Sequence, residues 1–175
     1  MSSKKPPVEL VPWTMFVFAI DPGDTESGYC LYDAETKRPF AYGKVANHAL
    51  IDVAGTQVSL YGTDLTFVIE TMSIPKKCGK TVFDAIFWSG RFYQAMIDSD
   101  AVVATLMRIT AKGHILKLIG GNDREMKEAL EIRFGGKAAA IGTKAKPGPL
   151  YGMGNDCRAA LAVAITFAET RMAPR

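Results

Sequence analysis

Met15-Phe16-Val17-Phe18-Ala19-Ile20 runs without a polar interruption into Asp21-Pro22-Gly23-Asp24-Thr25-Glu26-Ser27-Gly28, and Tyr29-Cys30-Leu31-Tyr32 follows. A short apolar run closed by turn residues reads as a buried strand, Pro22-Gly23 as a tight turn, and the second apolar run as a returning strand. The first strand therefore delivers a carboxylate to its own end. That arrangement presents an oxygen ligand at a fixed place without burying its charge inside the sheet. The competing reading is an Asp that does no more than open a hairpin turn.

At 175 residues, with 48% hydrophobic and 22% charged side chains, the chain has the length and composition of one globular domain with one core. A formal net charge of +3 is too mild to argue for nucleic acid by its sum, so the placing of the basic residues matters more. Cys30, Cys78 and Cys157 are odd in number, far apart and without C-x-x-C spacing. They read as reduced thiols of a cytoplasmic-type protein, and no structural zinc is expected. The longest apolar stretches, 15–20 and 159–164, fall far short of the roughly 18 residues of a membrane span. Residues 1–14 carry Lys, Pro and Glu where a signal peptide has an apolar core.

Residues 1–13, with Lys4-Lys5-Pro6-Pro7 and Pro12, read as a mobile or loosely docked leader, and 14–175 as a single domain. Strands are expected over 15–21, 27–33 and 40–45, joined as a meander, and again over 65–70 and 101–109. Residues 47–60 fit either element. Helices are expected over 81–98, over 124–134 after the Gly-Gly-Asn-Asp break at 120–123, and from Asn155 to the end of the small-residue run. The segment 135–154 holds six of the chain's sixteen glycines and reads as a flexible loop.

Leu65-Thr66-Phe67-Val68-Ile69-Glu70 is a second apolar run that ends on an acid, and Asp156 stands in the first turn of the last helix. Three carboxylates at element ends can converge. Magnesium takes oxygen ligands and keeps several waters, and two such ions can clamp the attacking and leaving oxygens of a phosphodiester, so carboxylates alone suffice for that chemistry. Strand, acid and glycine turn open actin-like ATPases, where the turn holds phosphate, as well as ribonuclease-H-like nucleases, where the Asp holds metal. The chain is too short for the two large lobes of the former. For Glu70 the plain alternative is a surface acid at a strand end, and for Asp156 an acid favoured by the helix dipole.

Lys76, Lys77 and Lys80 follow Glu70, and Lys137, Lys144 and Lys146 lie in the glycine-rich segment. Each group is either a solvated loop or a set of phosphate contacts. Phe87, Trp88, Phe92 and Tyr93 read as core and dimer-interface packing, with base stacking as the alternative. His48 and His114 read as ordinary histidines, and Arg124 with Glu128 as a helix-face pair.

The order of these pieces resembles the RuvC-type Holliday junction resolvases, a ribonuclease-H-like family, and especially their phage-encoded branch. The resemblance spans about residues 16–170. It rests on Ala19-Ile20-Asp21-Pro22-Gly23 with Gly28, Phe67-Val68-Ile69-Glu70, Gly90-Arg91-Phe92, Ile109-Thr110-Ala111-Lys112, Gly120-Gly121-Asn122-Asp123-Arg124, and Asn155-Asp156-Cys157-Arg158-Ala159-Ala160-Leu161-Ala162. It implies an α/β, ribonuclease-H-like fold with a mixed five-stranded sheet flanked by helices. It further implies a homodimer that binds four-way DNA junctions and nicks two strands symmetrically as a crossover junction endodeoxyribonuclease. Magnesium, or manganese in its place, would sit on Asp21, Glu70 and Asp156. Lys112 and Arg124 fall near the family's basic positions, and the setting would be a bacterial or phage-infected cytoplasm.

Two departures stand out. Ala159 occupies the place of a second carboxylate on the last helix, which leaves Asp156 to serve with Asn155 or water, or else points to a branched-DNA-binding protein of weak or lost activity. After Glu70 comes Thr71-Met72-Ser73, where the family often carries an aromatic wedge three places on; Met72 and Phe83 are the substitutes at hand.

Overall fold

The computed structural model describes residues 10–72, 79–118 and 121–173. Its elements are β1 (Phe16–Asp21), β2 (Glu26–Asp33), β3 (Arg38–Ala46), α1 (Asn47–Tyr61), a single 3-10 turn (Gly62–Asp64), β4 (Leu65–Thr71), α2 (Lys80–Ile97), β5 (Val102–Met107), α3 (Arg108–Leu116), α4 (Asp123–Arg133), α5 (Lys137–Ile141) and α6 (Asn155–Thr170). The five strands form one mixed sheet in the order β3-β2-β1-β4-β5. The meander pairs antiparallel, whereas β1–β4 and β4–β5 pair parallel. β1 lies at the centre of the sheet and is covered on both faces, which is why its sequence runs apolar without alternation.

The two faces differ in side-chain size. Val17, Ala19 and Val68 look towards α6, where Ala160, Leu161 and Ala164 complete the layer. Phe18, Ile20, Phe67 and Ile69 look the other way, onto Leu50 and Ala54 of α1 and Phe92 and Met96 of α2. Period two along each strand then continues the α6 face through Asp21 on β1 and Glu70 on β4. Small residues let α6 approach the sheet closely. At Gly28 a Cβ would lie 2.6 Å from the Asp156 carbonyl carbon, so only glycine admits the start of α6 there.

The ambiguous residues 47–60 are helical. α4 begins as its sequence suggests, with Asn122 accepting from the Arg124 and Glu125 amides in a capping box.

Two expectations fail. The strand expected over 101–109 ends at Met107, because β5 pairs only with β4 and that register stops at Thr71↔Met107. Arg108 and Ile109 open α3 instead. The expected flexible loop over 135–154 is folded: α5 occupies part of it, the Gly148 amide donates to Ile141 O at 2.8 Å and the Leu150 amide to Ala140 O at 2.8 Å. Ala140, Leu150 and Met153 are buried in the core, so the glycines serve tight turns within an anchored segment. Near the chain's ends, Val11 and Met172 form a parallel bridge, with the Val11 amide donating to Arg171 O at 2.9 Å. Among the described residues no helix is long and apolar enough to cross a membrane.

Candidate active site

β1 and β4 are paired as far as Ile20↔Ile69, and the next residue of each strand is Asp21 and Glu70. Parallel neighbours on one rung point to the same face, so the two carboxylates stand side by side. Only 7% of Asp21 and 5% of Glu70 is exposed. Two buried like charges this close cannot both ionise without a compensating cation. Burial, reinforced by the hydrogen bond to and the charge of Glu70, pushes the Asp21 carboxyl up to about 9, and the Arg108 guanidinium offsets only part of that rise.

Arg108 is the residue that sequence reasoning missed. Its Nε donates to Glu70 Oε2 at 3.0 Å, and its Nη2 donates to Asp21 Oδ1 at 3.1 Å and Oδ2 at 3.3 Å. It stands where the parallel β5 runs out beside Glu70. The signal was present: Leu106-Met107-Arg108 is a third apolar run ending on a charge, hidden by extending the strand to Ile109.

Asp156 is held apart from this pair. Asp21, Gly28 and Lys44 form one row across β1, β2 and β3, and Lys44 Nζ lies 2.9 Å from Asp156 Oδ2 over the row's glycine. Lys44 also lies 3.8 Å from Glu26 Oε2. Asp21, Asp156, Lys44 and Arg108 nonetheless wall one open cleft of about 310 Å³. Among the described residues no three His, Cys, Asp or Glu side chains are gathered closely enough to hold one ion. The acidic pair still suits a divalent cation. Its oxygens are hard ligands, and one guanidinium leaves two carboxylates a positive charge short.

Of the expected basic residues that are described, Lys112 lines a recess with Glu70 and Arg108 while donating to Gly121 O at 3.2 Å. Lys80 pairs with Asp84 on the exposed face of α2. Arg124 is exposed and lies 3.9 Å from Glu128. Lys144 and Lys146 are exposed around a turn in which the Thr143 and Lys146 backbones exchange hydrogen bonds, and Lys137 begins α5. Lys76 and Lys77 fall outside the described residues. His114 lies 2.6 Å from Glu169, which also binds Arg133, so it ties α3 to α6 and α4 away from the cleft.

No family model matches the chain, and no curated protein matches it in sequence. Solved structures do. A RuvC from Thermus thermophilus shares 16% identity at a TM-score of 0.62, over 88% of this chain and 93% of its own. The same organism's RuvC in complex with a Holliday junction substrate superposes at 0.63, with the same identity and coverage. A yeast mitochondrial Holliday junction resolvase superposes at 0.56 with 9% identity, over 91% of this chain and 80% of its own. The fold is thus the ribonuclease-H-like α/β fold of these resolvases.

Proposed function

We propose that this protein is a metal-dependent endonuclease that resolves four-way DNA junctions by paired nicks. The observation that carries the reading is the pair Asp21 and Glu70, buried side by side at the ends of two parallel strands, with Asp21 at the wall of the cleft and Glu70 at the recess beside it. The fold shared with a RuvC solved on a Holliday junction substrate supports it.

Asp21 and Glu70 would hold the ion, with Asp156 across the cleft as the third ligand. Magnesium, with manganese as its substitute, would supply positive charge that eases in-line attack of water on the phosphodiester and loss of the 3′ oxygen, with a 5′ phosphate as the expected product. The protein's part is orientation. The side chain of Arg108 is 41% exposed, so it can leave the carboxylates and meet a phosphate at the cleft mouth. Lys80, Lys112, Arg124, Lys144 and Lys146 supply positive charge for the DNA backbone, as Lys76 and Lys77 would by their place after Glu70.

Two opposed strands must be cut and one domain offers one site, so the reading includes a homodimer. Phe83, Phe87 and Ile97 are exposed on α2 at 64%, 57% and 43%, apolar area of the kind a second copy covers. Action in DNA recombination or repair, in a bacterial or phage-infected cytoplasm, follows from the same reading.

A second reading, junction binding without cleavage, is favoured by the hold of Lys44 on Asp156 and by Ala159 at the recess beside Glu70. Incubating a synthetic four-way junction with and without magnesium or manganese decides between them. Symmetric nicks that require the metal are expected. Binding with no nick in either metal would select the second reading, and failure to bind the junction at all would overturn both.

A further inference from the structure

Arg158, in the first turn of α6, is only 8% exposed, and its Nε has no hydrogen-bond partner. Among the described residues no carboxylate lies within ion-pair distance of it, although buried guanidinium groups are normally paired. An uncompensated buried charge lowers stability, so its retention calls for a ligand that comes from outside. Arg158 lines a recess of about 30 Å³ together with Glu70, Arg108 and Lys112. That volume admits about two water-sized oxygens. Glu70 is engaged by Arg108, and Lys112 is 3.6 Å from the exposed Asp123, so neither acid of the recess is paired with Arg158. The N-terminus of α6 has no side-chain cap and adds its partial positive charge on the same side.

We propose that this recess is a phosphate subsite, in which Arg158 binds two non-bridging oxygens of a DNA backbone phosphate neighbouring the one held at Asp21 and Glu70. The inference rests on the nuclease reading for its ligand. Arg158 and guanidinium–phosphate geometry carry it, since a planar fork matches two phosphate oxygens and is worth most where water is excluded.

The test compares wild type with Arg158→Met, which keeps the volume of the side chain and removes its charge. In the first arm, thermal unfolding is followed with inorganic phosphate and with chloride at matched ionic strength. Phosphate should stabilise wild type beyond chloride and give no such excess in Arg158→Met. In the second arm, binding to a four-way junction is titrated by fluorescence anisotropy in EDTA over a range of salt. Arg158→Met should bind more weakly, with a log–log salt slope shallower by about 0.9, one phosphate contact. Without ligand, Arg158→Met should unfold at the wild-type temperature or above. A variant that is destabilised or unfolded would make Arg158 a structural residue and overturn the proposal, as would equal phosphate effects or unchanged junction binding. A wild type that responds to phosphate yet ignores the junction would overturn the nuclease reading and leave the subsite standing.

Discussion

Arg108 Nη2 lies 3.1 Å from Asp21 Oδ1, so the first residue of α3 is hydrogen-bonded to the last residue of β1, 87 positions away in the chain. The same guanidinium reaches Glu70, and the pair is thereby kept in the sheet with an internal cation. Any external cation must compete with it. Arg108→Gln is therefore expected to bind manganese more tightly than wild type in calorimetric titration. The metal-free variant should lose about 2 kcal/mol in urea unfolding, between the values for exposed and buried pairs. Equal manganese affinity in the two proteins would remove Arg108 from this role.

The raised Asp21 carboxyl fixes a pH dependence. Its proton is bound more tightly in the folded state than in the unfolded chain, where the carboxyl titrates near 3.8, so the stability it contributes is complete below that value and is lost as pH rises through about 9. In EDTA the wild-type melting temperature should fall between pH 6 and pH 9 more than that of Asp21→Asn. Parallel curves for the two proteins would refute this.

Removing either member of the pair should stop chemistry while sparing recognition. Asp21→Asn and Glu70→Gln are expected to cut a four-way junction at least about 10²–10³-fold more slowly, the scale on which one charged stabilising group acts. Their junction affinity should be equal or higher, because a charge that repels phosphate is gone. Parallel loss of binding and cleavage would count against the assignment.

Lys44 and Asp156 form a half-exposed pair, so Lys44→Met should change stability by no more than about 1 kcal/mol. It should free Asp156 for the cleft and let cleavage saturate at lower magnesium, whereas Asp156→Asn should be as damaging as Asp21→Asn. Magnesium titration of the cleavage rate in each protein is the measurement. A fully active Asp156→Asn would show that the last helix contributes its ligand from elsewhere.

Gly28→Ala should be among the costlier single-methyl additions in the molecule. Its Cβ would meet the Asp156 backbone at 2.6 Å, and relief requires α6 to move off the sheet, at roughly 1–3 kcal/mol. Urea unfolding reads the loss. A wild-type midpoint would mean that α6 is free to shift.

The sheet was legible because β1 and β4 are buried on both faces, and unbroken apolar runs ending on Asp21 and Glu70 leave few other readings. The α4 start was legible for a local reason, the capping box of Asn122 and Glu125. Arg108, Lys44 and Arg158 were not, since each takes its meaning from partners across strands or, for Arg158, from the lack of one. Residues 135–154 misled for the same reason. Glycine and proline report where a chain turns, whereas the anchoring of Ala140 and Leu150 in the core depends on contacts that local composition does not encode.

The shared rung of β1 and β4 makes the site a matter of counting. Within Phe16–Asp21 or Leu65–Glu70, gaining or losing one residue would slide an acid by about 3.3 Å and turn it to the opposite face of the sheet. The hairpin between Asp33 and Arg38 carries no such arithmetic, because neither acid takes its position from it. Length variation in this protein's descendants should therefore collect in that hairpin and be absent from the two strands, even where their side chains drift.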